Sequence, residues 1–170
     1  MTTAAHEYDA ILPAPFGALG VRIAAGRLTR LEFLPPAPPS RSDAQGVIRQ
    51  LAAQLAAQLA AYFINPAHRF DLPLELIGTP FRRRVWQALL DIPAGHTVTY
   101  GELARRLGSG ARAVGQALGD NPLPIIIPCH RVCGSGGSLV GYSGASKKES
   151  AGIKVKKKLL KLEGYEPDRE

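Results

Sequence analysis

The protein has 170 residues, of which 45% are hydrophobic, so it can bury a core as one domain or as two small ones. Its 21 lysines and arginines exceed its 14 aspartates and glutamates, and the pI is about 9.7. This excess of positive charge favours binding to nucleic acid or to an anionic surface, and the charge alone does not distinguish these two partners. No apolar run approaches a membrane span, no signal-peptide pattern is present, and two cysteines suit a reducing compartment. We therefore expect a cytoplasmic protein without a membrane segment.

Residues 7–34 alternate apolar and polar side chains in short pieces separated by glycines. This pattern is typical of a small antiparallel meander. A proline-rich loop at residues 35–39 is predicted to end the sheet.

A helix is predicted to open at Ser42-Asp43 and to end at Asn65-Pro66. Its apolar side chains recur at i+3 and i+4 spacing, which favours packing against the sheet. They are Ile48, Leu51, Leu55, Leu59, Tyr62 and Phe63. With the meander, this helix makes residues 1–75 a small α/β domain that offers no chemistry of its own, and residues 76–78 are predicted to be a linker.

The next predicted helix has Thr79 as its N-cap and Pro80 at its first position. Its predicted buried stripe consists of Phe81, Val85, Trp86, Leu89 and Leu90. Three arginines, Arg82 to Arg84, crowd its first turn, where cations are unfavourable to the helix dipole. They form either a solvated basic face or a surface that attracts DNA.

Thr99 is predicted to cap a helix from Tyr100 to Leu107, and a turn at residues 108–110 leads to another helix at residues 111–118. Two short helices joined by a glycine-bearing turn form a helix-turn-helix, although many such pairs bind nothing. Small residues let the second helix lie close to another surface. They are Ala111, Ala113, Gly115 and Ala117. Arg112 projects from this small-residue face.

In the segment from Pro124 to Val132, three β-branched residues lie between two prolines, and Cys129 directly follows the second proline. This pattern is typical of a short, rigid, buried segment. His130 and Arg131 follow at once, a setting that can stabilise a thiolate. These residues alone leave four interpretations of Cys129 open: an inert core residue, a metal ligand with His130 and Cys133, a disulfide partner of Cys133, or a cysteine-hydrolase nucleophile. Zinc needs four ligands, and the disulfide would close a very short loop.

The C-terminal stretch is predicted to be a helix with Val155, Leu159 and Leu162 on its apolar stripe and Gly164 as its cap. Seven lysines accompany it and are most simply a solvated face, with phosphate contact as the alternative. They are Lys147, Lys148, Lys154, Lys156, Lys157, Lys158 and Lys161.

The run from Asn121 to Val132 resembles the active-site signature of the O-6-alkylguanine-DNA alkyltransferases, or methylated-DNA–protein-cysteine methyltransferases. Flanking matches lie within Thr79–Trp86, Ile92–Gly101, Ala111–Gly115 and Gly141–Gly144. The resemblance is dense over about residues 79–165 and loose before residue 75. It implies an α+β fold in which a small N-terminal antiparallel sheet plus helix (ribonuclease-H-like), residues 1–75, is a scaffold domain. A mostly helical C-terminal domain with a helix-turn-helix would follow at residues 79–170.

The resemblance also implies repair of DNA by transfer of an alkyl group from O-6 of guanine to Cys129. His130 would take the Cys129 proton through a water, and Glu163 would orient the imidazole. Since the alkyl group lies within the base stack, the nucleotide must leave the duplex, and Tyr100 and Arg112 would drive or hold this flip. The product is a thioether that water does not readily hydrolyse, so each chain would act once.

Further roles follow from the same resemblance. Tyr100 would donate a hydrogen bond to the base, and Asn121 would brace the turn that precedes the cysteine. The base would be held by Pro124, Val132, Tyr142 and Ser143. The second helix of the pair would lie in the minor groove, which small residues suit. The implied DNA-binding residues are Thr99, Tyr100, Ala111, Arg112, Ala113, Gly115 and Arg131.

The implied partner is double-stranded DNA carrying O-6-alkylguanine, with no cofactor, no metal, no obligate protein partner and a monomeric chain. Some members hold zinc in the N-terminal domain, but no cysteine precedes Cys129 here. One alternative is a non-catalytic lesion binder of the alkyltransferase-like type, in which the cysteine is replaced. Another is a helix-turn-helix regulator with a cysteine sensor. The compact, zinc-free layout suggests a bacterial, nucleoid-associated protein.

One segment departs from the family pattern. Leu159 to Gly164 matches the expected ending, but Lys158 stands where a tryptophan is usual. The stretch from Ser146 to Lys157 is also several residues longer than expected. The assignment of Glu163 depends on this segment.

Overall fold

The structure, a computed structural model, describes residues 8–36, 40–41, 46–134 and 151–165 of the chain. The chain forms two compact units, Met1–Ile77 and Gly78–Glu170. Sheet and helix segregate along the chain, which gives the mixed α+β composition that the sequence predicts.

The first unit contains the predicted antiparallel meander, which is confirmed. Its strands are β1 (Ala10–Ala14), β2 (Gly17–Ala24), β3 (Arg27–Leu34) and the short β4 (Ser40–Arg41). The sheet order is β3-β2-β1-β4, and every neighbouring pair is antiparallel. Ala25 and Gly26 join β2 to β3 with φ angles of 50° and 74°. Both central residues of a type I′ turn require positive φ, so this tight turn matches the twist of the strands it connects.

Helix α1 spans Val47–Ile64 and ends at the predicted Asn65, whose N–H donates to the carbonyl of Ala61. Its described start lies after the predicted Ser42-Asp43, which falls outside the described residues. Four predicted stripe residues are buried, while Ile48 and Phe63 are half-buried. The buried four are Leu51, Leu55, Leu59 and Tyr62.

Contrary to the expectation that no apolar run approaches a membrane span, α1 is long and apolar enough to cross a membrane by length and composition alone. This is a weak indication, because core helices of globular domains have the same character. The four buried residues share one face, and Gln50 and Gln54 lie among the exposed positions. We therefore interpret α1 as the core helix of the first unit.

The second unit is mostly helical. In chain order its elements are α2 (Pro80–Leu89), β5 (Val98–Thr99), α3 (Tyr100–Leu107), α4 (Ala111–Gly119), a 3₁₀ turn (Cys129–Arg131), β6 (Val132–Cys133) and α5 (Ala151–Leu162). Strands β5 and β6 pair in parallel, with Thr99 opposite Cys133. Helices α2 and α3 both pack against α4, and α5 packs against the 3₁₀ turn. The α3–α4 pair and the cysteine segment thus belong to one packed unit.

Helix α2 begins as predicted, since the Thr79 hydroxyl accepts from the Arg82 N–H and Pro80 takes the first position. Val85, Trp86 and Leu89 are buried, and Phe81 is half-buried. The buried Trp86 indole N–H donates to the carbonyl of Ala117 at 2.8 Å, which ties α2 to α4. The prediction of a buried Leu90 is wrong: Leu90 lies after the last helical residue and is 47% exposed.

Helix α3 has the predicted bounds because its two ends are well capped. The Thr99 hydroxyl accepts from the Glu102 N–H at 3.0 Å, and the Glu102 carboxylate accepts from the Thr99 N–H at 3.0 Å. This capping box satisfies two N–H groups that the helix itself leaves unpaired. At the other end, Gly108 adopts a φ of 64°, the left-handed conformation that ends many helices.

Candidate active site

The segment that precedes Cys129 is buried and fixed by hydrogen bonds. Residues 123–130 are all buried. The side-chain amide of Asn121 donates to the carbonyl of Ile127, and its oxygen accepts from the N–H of Leu123, both at 2.9 Å. Ile125 has a φ of 75°, which a β-branched residue rarely adopts, so the turn is strained and needs such support. Asn121 thus lies where its predicted bracing role requires.

Cys129 itself opens the 3₁₀ turn, with its N–H donating to the carbonyl of Ile127 at 2.8 Å. The residue is 4% exposed. Cys129 and Cys133 are both free thiols, which argues against the disulfide interpretation. Within the described parts of the chain, no three histidine, cysteine or acidic side chains are grouped so that they could hold a metal ion.

His130 and Glu163 form a buried pair behind the cysteine. The Nε2 atom of His130 lies 2.9 Å from both carboxylate oxygens of Glu163, and both side chains are completely buried. Arg131 approaches the same carboxylate from the other side, with Nε 2.9 Å from Oε1 and Nη2 2.8 Å from Oε2. The remaining guanidinium nitrogen, Nη1, donates to the carbonyl of Ile92 at 2.6 Å. The structure therefore brings together two residues separated by 33 positions.

These contacts fix the protonation of the pair. Burial would raise the pKa of Glu163, but hydrogen bonds from His130 and Arg131, together with the charge of the Arg131 guanidinium, lower it to about 2. Glu163 is therefore a carboxylate at neutral pH. Burial lowers the pKa of His130 and outweighs the opposing influence of Glu163, so the imidazole is neutral.

The tautomer follows from this charge assignment. An ionised carboxylate can only accept hydrogen bonds, so Nε2 of the neutral His130 carries the hydrogen that Glu163 receives. Nδ1 then presents its lone pair as an acceptor. This atom is buried and has no hydrogen-bond partner among the described residues. His130 is thus held as a base with one nitrogen available.

Arg131 is placed differently from its predicted role in DNA binding. Its side chain is only 11% exposed, and its guanidinium is bound to Glu163 and to the carbonyl of Ile92. A guanidinium that is engaged in this way has little left to offer a phosphate. The structure favours Arg131 as the residue that keeps Glu163 ionised and in place.

Tyr100 and Thr99 lie at the start of α3, beside the cysteine segment. Burial, together with the nearby thiols of Cys133 and Cys129, raises the pKa of Tyr100 to about 12. The phenol therefore stays protonated at neutral pH and can donate a hydrogen bond. Thr99, which was predicted to bind DNA, uses its hydroxyl and N–H in the capping box.

Lys156 is the site residue that the sequence analysis missed. It was grouped with the solvated lysines, but its exposed fraction is 0% and its Nζ donates to the carbonyl of Val132 at 2.5 Å. Of the predicted stripe of α5, Leu159 is buried as predicted, whereas Val155 and Leu162 are only half-buried. The buried face consists of Ile153, Lys156, Leu159, Leu160 and, just after the helix, Glu163.

Four of the predicted DNA-binding residues lie on α4. Ala111 and Arg112 are exposed, whereas Ala113 and Gly115 are half-buried. Among the described residues, no atom outside the neighbouring backbone of the helix itself lies within 4 Å of the position that a Cβ would take on Gly115, so this side of the helix is open. The predicted recognition surface is therefore accessible in the second unit.

Two of the three arginines at the start of α2 contact neighbouring helices, which neither of the two predicted interpretations included. Arg82 pairs with Asp120 at 2.6 Å, just after α4. Arg84 donates to the carbonyl of Leu107 at 3.0 Å, at the end of α3. A cation at a helix C-terminus interacts favourably with the dipole, so both side chains help to hold the three helices together.

The base-holding residues are only partly described. Pro124 and Val132 are both buried. Tyr142 and Ser143 lie outside the described residues, as do most of the loop after Cys133 and the first part of the lengthened segment.

Comparisons with known proteins agree with this geometry. Residues 80–165, just over half of the chain, match the family model of the 6-O-methylguanine DNA methyltransferase DNA-binding domain. A methylated-DNA–protein-cysteine methyltransferase of Mycobacterium tuberculosis strain H37Rv is 52% identical over 105 residues, which cover 61% of this chain and 59% of that relative. One from Methanosarcina acetivorans is 47% identical over 106 residues, which cover 61% and 64%. The chain therefore aligns with less than two thirds of the length of these relatives.

Solved structures extend the likeness to both units. Mycobacterium tuberculosis OGT, crystallised in complex with DNA, is 40% identical with a TM-score of 0.72, and the alignment covers 90% of each chain. An O6-methylguanine DNA methyltransferase from Methanococcus jannaschii is 28% identical with a TM-score of 0.61, covering 94% of this chain and 96% of its own. The sequence match, the shared fold and the cysteine segment lead to one conclusion: the chain belongs to the 6-O-methylguanine-DNA methyltransferase family.

Proposed function

We propose that the protein repairs DNA by transferring an alkyl group from O-6 of guanine in double-stranded DNA to Cys129. The observation that carries this proposal is the arrangement behind the cysteine, in which the ionised Glu163 orients a neutral His130 whose second nitrogen is available as a base. Base, orienting carboxylate and nucleophile are the three parts that activate a weak nucleophile in many enzymes. The relatives named as methylated-DNA–protein-cysteine methyltransferases support the same reaction.

Activation of the cysteine would proceed through a water. Because the side chains of neighbouring residues diverge, His130 would act on the sulfur of Cys129 through this water and not by direct contact. A water that donates to Nδ1 of His130 and accepts from the thiol would pass the proton to the imidazole. Glu163 would then stabilise the imidazolium that forms.

In the transfer step, the Cys129 sulfur forms a bond to the alkyl carbon while the bond between that carbon and O-6 breaks. The electron pair remains on the guanine, which accepts a proton. Tyr100 would donate a hydrogen bond to the departing base, because its pKa of about 12 keeps the hydroxyl protonated. Overall, the thiol hydrogen replaces the alkyl group on guanine, and the sulfur becomes a thioether.

The lesion has to leave the base stack before the buried sulfur can reach it. We interpret α3 and α4 as a helix-turn-helix whose second helix enters the minor groove. The exposed Ala111 and the open side of Gly115 support this, since small residues let a helix approach closely. Arg112 would occupy the space that the flipped base leaves. The first unit, ribonuclease-H-like in this proposal, would act as a scaffold.

The thioether gives the reaction its stoichiometry. Water does not readily cleave a carbon–sulfur bond of this kind, so each chain would accept one alkyl group and then be spent. The proposal requires no cofactor and no second chain, and it places the protein in the cytoplasm with the DNA.

The test is the loss of lesions from DNA. A duplex with one O-6-methylguanine is incubated with increasing amounts of protein and digested to nucleosides, and the remaining O-6-methylguanine is quantified. We expect one lesion to disappear per chain and then no more, with the same result for Cys133→Ala and no loss for Cys129→Ala. Tight binding of the duplex without any loss of lesion would overturn the proposal in favour of a lesion binder.

A further inference from the structure

Asp120 places a negative charge at the end of the helix that we propose to enter the minor groove. It follows the last residue of α4, and its N–H donates to the carbonyl of Gln116 at 3.1 Å. A negative charge at a helix C-terminus is unfavourable to the helix dipole. It also repels the phosphates of DNA, which the net charge of +7 otherwise attracts. Asp120 is therefore unfavourable both for the helix and for the proposed binding of DNA.

The partner of Asp120 is Arg82, the third residue of α2. The Nη2 atom of Arg82 lies 2.6 Å from Oδ2 of Asp120. Arg82 lies in the first turn of its own helix, where a cation is also unfavourable to the dipole. The ion pair thus neutralises two charges that each lie at the unfavourable end of a helix. It also occupies the guanidinium of Arg82.

The ion pair is accessible to a competing anion. The Arg82 side chain is 42% exposed, and the Asp120 side chain is 49% exposed. An ion pair that water reaches contributes little to stability. Helices α2 and α4 have a second, buried connection, because the indole N–H of Trp86 donates to the carbonyl of Ala117. Arg82 can therefore exchange its partner while the two helices stay packed.

The position of Asp120 on α4 identifies this anion. Arg112, Gln116 and Asp120 are exposed and follow one another at i+4 spacing, so they lie along one side of the helix. The small residues Ala111 and Gly115, proposed to enter the groove, lie next to this line. A helix with its side chains is about 10 to 12 Å wide, whereas the minor groove is about 6 Å wide. The phosphates that border the groove would therefore lie against the sides of α4, where the ion pair is.

We propose that Arg82 contacts the DNA backbone and that Asp120 competes with a phosphate for its guanidinium. In the free protein the guanidinium binds the carboxylate, and on the duplex it binds a phosphate oxygen beside α4. The N–H groups of a guanidinium match the oxygens of both partners. Asp120 thereby limits the affinity for undamaged DNA, which lets the protein leave sites without a lesion. This inference rests on the proposed binding of α4 to DNA.

The test is binding of a fluorescently labelled, undamaged duplex, measured by fluorescence anisotropy at several salt concentrations. The duplex has no lesion, so the result does not depend on whether Cys129 accepts an alkyl group. The variants are Asp120→Asn, Arg82→Gln and the combination of both. Asp91→Asn is the matched control, because it removes the same charge from an exposed position just beyond the other end of α2. Circular dichroism verifies that each variant is folded, and asparagine is well tolerated at helix ends.

We expect Asp120→Asn to bind roughly threefold to tenfold more tightly than the wild type, because the released guanidinium neutralises one more phosphate. For the same reason, the slope of log K against log salt should become steeper by up to about one. Both gains should disappear in the combined variant, since it has no guanidinium to release. Asp91→Asn should bind as the wild type does.

Three results would overturn the inference. The first is a folded Asp120→Asn with the affinity and the salt dependence of the wild type. The second is a gain that persists when Arg82→Gln is added, and the third is an equal gain for Asp91→Asn. In both of these cases the loss of a negative charge would be sufficient to explain the result. A wild type that does not bind the duplex even at low salt would overturn the proposed function together with this inference.

Discussion

Replacing Glu163 by glutamine tests the electrostatic account of the site. The substitution keeps the size of the side chain but removes the negative charge that His130 and Arg131 share. The amide nitrogen of glutamine can only donate a hydrogen bond, so it would face N–H groups of His130 or Arg131 that are donors as well. We expect Glu163→Gln to lower the stability of the second unit at neutral pH.

The magnitude follows from the two pKa values. The ordinary pKa is 4.5 and the pKa in the folded protein is about 2, a difference that corresponds to roughly 3 kcal/mol. Because the folded value is the lower one, ionisation stabilises the protein fully above pH 4.5. This contribution is lost as the pH falls from 4.5 towards 2. The stability gap between wild type and Glu163→Gln should therefore be largest at pH 7 and shrink below pH 4.5.

The assay is urea denaturation followed by the fluorescence of Trp86, the only tryptophan of the chain, which reports on the second unit. It is performed at pH 7, 5, 4 and 3 for the wild type, Glu163→Gln and the control Asp91→Asn, which removes an exposed carboxylate of the same unit. Asp91→Asn should leave the stability nearly unchanged. A gap for Glu163→Gln that stays the same from pH 7 to pH 3 would refute the reasoning, because the loss would then not arise from the charge.

Three further predictions concern the supports of the site. Asn121→Ala removes two hydrogen bonds from the buried turn before Cys129 and should cost about 2 kcal/mol or more, measured by urea denaturation; an unchanged midpoint would show that the turn does not need its brace. Thr99→Ala removes the capping box of α3 and should cost about 1 kcal/mol in the same assay, whereas Thr99→Ser should not. Arg112→Ala should slow methyl transfer from duplex DNA by roughly tenfold or more, since an unstacked base costs a few kcal/mol, while iodoacetamide alkylation of Cys129 stays at the wild-type rate. Equal slowing of both reactions would place Arg112 in the structure of the site rather than in the flip.

The sequence was sufficient where local chemistry decides the outcome. The capping residues Thr79 and Thr99 and the glycine at position 108 set helix ends that the structure reproduces. The meander followed from alternation and from the glycines between its strands. The cysteine segment was recognised by its motif, and the structure brings His130 and Glu163 together as the resemblance implied.

The sequence was insufficient where burial depends on the rotation of a helix about its axis, or where a contact depends on the direction of one side chain. In α5, lysines occupy so many positions that the apolar pattern did not reveal which face is buried, and Lys156 was taken as solvated. Its spacing of seven residues from Glu163 was the available signal, because residues two turns apart share a face. Arg131 lies next to His130 in the sequence, but only the fold shows that its guanidinium binds Glu163. Leu90 fits the stripe of α2 by spacing, yet the helix has already ended.

The most direct test of the central claim is peptide mass spectrometry after the protein reacts with a duplex that carries one O-6-methylguanine. The account predicts that the tryptic peptide ending at Arg131 gains one methyl group on Cys129, that the gain saturates at one per chain, and that the peptide with Cys133 remains unmodified. An unmodified Cys129 peptide in a folded protein that binds the duplex would contradict it.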